Sequence, residues 1–368
     1  MKKIGIVTLY DDVNIGNKLQ NYAVQSVYEK MGYQVETLRH WDMVHKPINK
    51  NEVKKYIKSI ILPNSEESKI KRLQIIRKKR FRKFSDKYIK IGPILKFGKI
   101  PDGFKSKYDF FVVGSDQVWH NWLSVKDELS YFMLSFANKC QRLTISPSFG
   151  KDEIHSFVDE YREGLNGFID LTCREKKGAE IIYELTGRRA QVTLDPTMLI
   201  SADEWKKIEK KPSYKIGEDY ILVYSLGGLD LSINQYVEEI AEEKHLQIID
   251  IYNPNKRDLY MTTPDEFIYL VSHSRLVITD SFHACAFSIL YNKDFIVFNR
   301  NSIYEGNMMS RVSTLLETFE IENRVYYQGY NYIPVDYFSI EKKLRNEREK
   351  TIRILKESIE KLEALSSN

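Results

Sequence analysis

Short apolar runs alternate with four-residue periodicities from the start of the chain. Ile4 to Leu9 reads as a buried strand; Leu19, Ala23, Val27 and Met31 then recur every fourth residue, and Gly32 stops that helix before a second strand near Val35 to Leu38. This is a β-α-β unit. Further strands are predicted at Phe110 to Val113, Leu143 to Ile145, Phe168 to Leu171 and Val192 to Leu194, with a helix over Glu175 to Leu185 closed by Gly187. Lys206 to Lys215, rich in Lys and containing Pro, reads as a linker. The alternation then restarts, with strands at Tyr220 to Tyr224, Leu246 to Ile251, Leu276 to Thr279 and Phe295 to Phe298 and helices at Gln235 to Lys244, Pro264 to Ser272 and Phe282 to Leu290. A last helix, Glu341 to Leu365, carries Ile352, Leu355, Ile359 and Leu362 at heptad-like spacing and is expected to cross back onto the first domain or to pack a partner. The pattern predicts an α/β protein of two domains, 1–205 and 217–340, followed by the helix 341–368.

A length of 368 residues leaves room for two such domains, and 42% hydrophobic against 29% charged residues is the balance of a folded chain. Cys140, Cys173 and Cys285 lie far apart, so neither a disulfide framework nor a zinc ribbon is expected. With no signal peptide and no spanning segment in the pattern, the sequence predicts a cytoplasmic protein.

The net charge of +5 hides an asymmetry. Between Lys46 and Lys107 there are 20 basic residues against 5 acidic ones, a net of +15, so the remainder carries −10. Within this insertion Lys69 to Phe84 has no acid, and Ile70, Leu73, Phe81 and Phe84 fall on one helical stripe. A basic amphipathic helix follows, either a solvated face or a surface for an anionic membrane, peripheral at its inner face, or for an anionic glycan. Nucleic acid is not expected, because no recognition motif accompanies the charge.

Candidate chemistry collects after the strands, where parallel sheets bind ligands. The first loop runs from Tyr10 to Gln20, the next from Gly114 to Trp119, and others are Pro147 to Gly150, Cys173 to Glu175, Asp195 to Thr197 and Thr279 to His283. Local explanations compete for several residues. Asp195-Pro196 reads as a rigid turn before it reads as an acid. Asp280 suits a cap for the helix near Phe282. Asn14, Gly16 and Asn17 suit the turn into the first helix, whereas Gln20 lies beyond what capping requires, and Trp119 suits a packing anchor. Arg174 is placed either for a surface pair with Glu175 or Asp170, or to bind a phosphate or carboxylate. His283, beside an Asp-Ser pair at a strand-helix junction, is the strongest functional candidate. The histidines lack metal-ligand spacing, no G-x-S-x-G elbow occurs, and the dinucleotide fingerprint and P-loop are absent, so neither metal nor cofactor is expected.

Taken together, Asn14 to Ala23, Val113 to Trp119, Ser148 to Gly150, Arg174-Glu175, Leu194 to Thr197, Thr279 to His283 and Ser310-Arg311 resemble the polysaccharide pyruvyl transferase family over most of the chain. The resemblance implies two Rossmann-like domains facing a cleft, as in GT-B glycosyltransferases. It implies transfer of pyruvate from phosphoenolpyruvate to two hydroxyls of one sugar, on a glycan or a lipid-linked precursor, giving a ketal and phosphate. On that resemblance Asp116 and His283 are the acid-base pair, and Arg174, Arg311 and the Ser281-Phe282 backbone bind the donor. Asn14, Asn17, Gln20, Gln117 and Asp280 line the cleft or meet the acceptor. Ser281 stands where some members carry Arg, with Arg311 the replacement cation. Ala284, Pro147 and His120 also depart from the family pattern. The alternatives are a nucleotide-sugar glycosyltransferase of the same fold and a non-catalytic glycan- or anion-binding protein.

Overall fold

Residues with one apolar face must bury it, and parallel strands bury both. In the computed structural model, which describes residues 1–41, 65–96, 99–120, 126–300, 309–330 and 333–366, that burial builds two parallel sheets and a small annex. The first sheet has the order β3-β2-β1-β4-β5, from β1 (Lys3–Val7), β2 (Gln34–His40), β3 (Ile91–Leu95), β4 (Phe110–Asp116) and β5 (Arg142–Pro147). The annex pairs β6 (Thr172–Cys173) with β7 (Gln191–Val192). The second sheet has the order β11-β10-β8-β9, from β8 (Tyr220–Tyr224), β9 (Gln247–Asp250), β10 (Leu276–Thr279) and β11 (Phe295–Val297). In each sheet the chain leaves the first strand in one direction and returns on its other side, between β1 and β4 and between β8 and β10. Both crevices of this Rossmann-like topology open at strand carboxyl ends.

Local signals set the helices. Asn14 caps Ile15–Lys30, its Oδ1 accepting from Asn17 N at 3.1 Å, and Gly32 at φ +90° ends the turn that follows. Ser65 caps the basic helix Glu66–Tyr88, which has Glu66 and Glu67 in its first turn and Lys87 in its last, as the helix dipole favours.

One predicted strand is absent, and two elements lie outside the pattern. Phe168 to Leu171 is an irregular bend, not a strand; Phe168 packs on Trp119, and pairing begins only at Thr172. β3 escaped the pattern because Gly92 and Pro93 punctuate it, which an edge strand tolerates. The helix Met309–Phe319, which carries Arg311, lies outside the predicted elements. Residues 46–64 of the basic insertion lie outside the described residues.

Two long helices tie the halves together. From the basic helix, buried Arg77 donates to Tyr260 O and stacks on Tyr252 and Tyr260, and Arg80 meets both oxygens of Glu266 at 2.9 Å. The final helix, Tyr337–Ser366, crosses back onto the first half. Its Thr351 Oγ1 accepts from Leu194 N, its Arg348 donates to the carbonyls of Met198 and Ile200, and its Lys361 pairs with Asp170 at 2.8 Å. No helix of the described residues is long and apolar enough to cross a membrane.

Candidate active site

The two crevices face each other, and their loops meet at His283. This residue follows β10 in the first turn of the helix Phe282–Leu290, and its imidazole lies against the start of the first helix. A Cβ built on Gly16 would sit 2.1 Å from His283 Nδ1, so only glycine admits the ring. Across from it β4 ends at Asp116, whose φ of +68° turns the chain off the sheet while Oδ1 accepts from Gln117 N at 2.9 Å.

Between them lies Asp195, whose Asp-Pro pattern predicts a rigid turn. Asp195 does make the turn: its Oδ1 accepts from Thr197 N at 3.0 Å and from Thr197 Oγ1 at 2.7 Å. Its Oδ2, however, accepts from Arg174 Nη1 at 2.8 Å and from Ser115 Oγ at 2.9 Å, and stands 3.9 Å from His283 Nε2. Asp116 Oδ1 lies 3.5 Å from Arg174 Nη2, and its Oδ2 lies the same distance from Asn17 Nδ2.

Arg174 is therefore not a surface residue. Its side chain is 1% exposed and 4.3 Å from the Phe282 ring centroid, while its former candidate partners are engaged elsewhere. Glu175 accepts from Ser148 Oγ, Phe149 N and Gly150 N, and Asp170 holds the final helix. The two terminal nitrogens of Arg174 already serve Asp195 and Asp116, and its buried Nε has no partner. Arg311 is the contrasting cation. It is 7% exposed, it makes no ion pair among the described residues, and its Nε is buried without an acceptor.

The charges respond to this packing. Burial would raise Asp195, but Arg174, His283 and Thr197 outweigh it and hold the carboxyl at about 2. Asp116 is likewise held below the usual carboxylate range against its burial, by Arg174, His283 and Arg311. Burial pushes Arg311 down to about 10, helped by Arg174. For His283 burial lowers the pKa, Asp195 and Asp116 oppose, and Arg174 and Arg311 reinforce it. The result is two ionised carboxylates, two guanidinium groups and a depressed imidazole within one buried cluster.

Of the other sequence candidates, several have their polar atoms committed to the scaffold. Asn14 is a cap. Gln20 is fully buried, giving Nε2 to Thr8 Oγ1 and Asn17 O and accepting from Ser115 N, which stitches β1 to β4. Asp280 does not cap its helix; it accepts from Leu226 N at 2.8 Å, Gly227 N at 2.7 Å and Arg300 Nε at 3.1 Å. Gln117 Nε2 is buried and unpartnered, and Trp119 is a fully buried anchor bonded to Phe132 O. Ser281 and Phe282 open the helix beside the cluster, and a cavity of about 260 Å³ adjoins Arg174, Asp195 and Phe282. No group of three or more His, Cys, Asp or Glu residues is arranged to hold a metal ion among the described residues.

Comparison with known proteins accords with this architecture. The family model described as polysaccharide pyruvyl transferase matches residues 14–302. No curated protein matches in sequence. Among solved structures, a protein from Listeria monocytogenes provisionally assigned as a UDP-N-acetylglucosamine 2-epimerase is similar at 10% identity and a TM-score of 0.51, covering 96% of this chain and 91% of that one. A UDP-GlcNAc 2-epimerase from Neisseria meningitidis is similar at 10% identity and a TM-score of 0.48, covering 98% and 100%. An alpha-glucosyltransferase solved with UDP and DNA shows 8% identity and a TM-score of 0.44, covering 98% and 94%. The two parallel sheets share the GT-B-like fold of the Listeria structure.

Proposed function

The chain belongs to the polysaccharide pyruvyl transferase family, and from that premise we propose that it moves pyruvate from phosphoenolpyruvate onto two hydroxyls of one sugar in a cell-surface polysaccharide or its precursor. The observation that carries the donor assignment is Arg311, a buried guanidinium with no ion pair among the described residues, within electrostatic reach of Arg174, Asp116 and His283. A buried unpaired cation is costly, and an anionic ligand removes that cost.

In this reading His283 delivers a proton to the methylene carbon of the enol, and one sugar hydroxyl adds to the neighbouring carbon. Asp116, held ionised, accepts that hydroxyl's proton. Cleavage of the carbon–oxygen bond then expels phosphate, and the second hydroxyl closes the ketal, its proton leaving on phosphate. Arg311 and the Ser281-Phe282 amides offset the donor's charge, while Arg174 keeps Asp116 in place. Incubating the protein separately with phosphoenolpyruvate and with nucleotide-sugars tests the assignment. Phosphoenolpyruvate is expected to raise the melting temperature and, with a glycan acceptor, to release phosphate. Stabilisation and turnover with a nucleotide-sugar alone would replace it by glycosyl transfer, and stabilisation without turnover on any acceptor by a binding protein.

We propose further that a membrane-borne acceptor is met on the cytoplasmic face through the outer side of the basic helix. Arg72, Ile75, Ile76, Lys79 and Lys83 are exposed there, the two isoleucines by 40% and 41%, whereas Arg77 and Arg80 face inward and clasp the second half. Lys78→Gln, Lys79→Gln and Lys83→Gln together are expected to weaken binding to anionic vesicles and flatten its salt dependence, at about 1 kcal/mol per charge. Turnover of a soluble acceptor stays unchanged. Equal vesicle binding by both proteins would return this face to plain solvation.

A further inference from the structure

We propose that Asp195 is a positioning residue, a shared anchor that locks the Arg174 fork and faces the reactive imidazole of His283 with a fixed negative charge. Three observations lead there. A single oxygen, Oδ2, is the acceptor for Arg174 Nη1 and Ser115 Oγ and is also the carboxylate atom 3.9 Å from His283 Nε2, a nitrogen that is buried and has no hydrogen-bond partner. The other oxygen is consumed by Thr197 N and Oγ1, so the carboxylate cannot rotate. The segment bearing it is clamped from behind by the final helix, through Leu194 N to Thr351 and Arg348 to the Met198 and Ile200 carbonyls.

A helix cap alone needs one carboxylate oxygen, and Oδ1 supplies it. The placement of Oδ2 serves the site. The charged groups facing His283 are Asp195 before Pro196, Asp116 at the end of β4, Arg174 after β6 and Arg311 on Met309–Phe319. Removing the Asp195 charge leaves Asp116 alone against two guanidinium groups. The imidazole then gives up its proton more readily, and Arg174 Nη1 loses the acceptor that aims it.

Labelled-imidazole NMR reads this without any substrate, with the His283 signal among seven histidines assigned through His283→Gln. Asp195→Asn is expected to lower the His283 titration by about one pH unit. Thr197→Val, which removes a hydrogen bond to Oδ1 and keeps the charge, is expected to lower thermal stability without lowering the titration. An Asp195→Asn titration that coincides with wild type would overturn the proposal and leave Asp195 a turn residue. Should that variant not fold, Ser115→Ala carries the test: Oδ2 with one donor fewer pairs more strongly with an imidazolium, so His283 titrates higher, and no movement overturns the proposal. The consequence for turnover rests on the donor reading above. There Asp195→Asn is expected to lose ~10–100-fold in kcat with a smaller change in donor KM. A wild-type protein that ignores phosphoenolpyruvate would sink that reading while leaving the titration result intact.

Discussion

His283→Ala is expected to cut acceptor-dependent phosphate release by ~10²–10⁴-fold in a protein that still folds. The ring touches the glycine turn of the first helix and makes no hydrogen bond through Nε2, so its loss costs some packing and the 3.9 Å approach to Asp195 but no hydrogen bond at that nitrogen. The pH profile carries the sharper signature. Burial sets the free imidazole below its ordinary value, reinforced by Arg174 and Arg311 against Asp195 and Asp116. A bound donor brings negative charge and moves the imidazole up. For a residue that must be protonated to act, activity falls as the pH rises through its pKa. The alkaline limb of kcat therefore lies at higher pH than that of kcat/KM, and donor binding takes up a proton, measurable by calorimetry in buffers of different ionisation enthalpy. Asp116→Asn should abolish turnover comparably, because it keeps size and hydrogen bonding but loses the basic oxygen. Wild-type turnover in a folded His283→Ala protein would make the residue a packing element and remove it from the chemistry.

The sequence exposed residues whose position had no adequate local explanation. Asp116 and His283 follow short apolar runs that form buried strands, and the carboxyl ends of such strands converge in a parallel sheet; Arg174 follows the short annex strand β6, although the apolar run just before it, Phe168 to Leu171, is not a strand. Asp195 was hidden because Asp-Pro-Thr is fully explained by its turn, and the structure shows that turn on Oδ1; the use of the other oxygen depends on Ser115, Arg174 and His283, which only the assembled fold brings near. Gln20 misled for the opposite reason: it exceeds what capping needs, yet the surplus bonds tie β1 to β4 and do not line a cleft.

Arg77 could have been found. At 100° per residue it falls within the stripe of Ile70, Leu73, Phe81 and Phe84, and a cation inside an apolar stripe signals aromatic or carbonyl partners on a neighbouring element. Those partners are Tyr252, Tyr260 and the Tyr260 carbonyl. The pattern could not say that they belong to the other half of the chain. From the pattern alone Arg77 and Arg80 belong to a solvated or lipid-facing charge run, although both clasp the second half.

Arg311→Met is expected to separate function from stability. Among the described residues Arg311 has no ion pair, its Nε lacks an acceptor, and burial with the nearby Arg174 holds its pKa at about 10, so the folded protein bears a charge it would be more stable without. For a cation whose folded-state pKa is depressed below its unfolded value, the charged form at neutral pH costs stability, and that cost fades only as the pH rises through the depressed value toward the unfolded one. An unbranched apolar side chain of similar reach removes the cost, so Arg311→Met should melt above wild type without ligand. With phosphoenolpyruvate the order reverses, because the variant loses charge-assisted hydrogen bonds of about 1.5–3 kcal/mol each, and kcat/KM for the donor falls by ~10–150-fold for each bond lost. Arg311→Lys keeps a charge but not the planar fork, and should recover only part of that loss. An Arg311→Met protein that melts below wild type and still uses the donor normally would mark Arg311 as a structural cation and move the anion site elsewhere in the cleft.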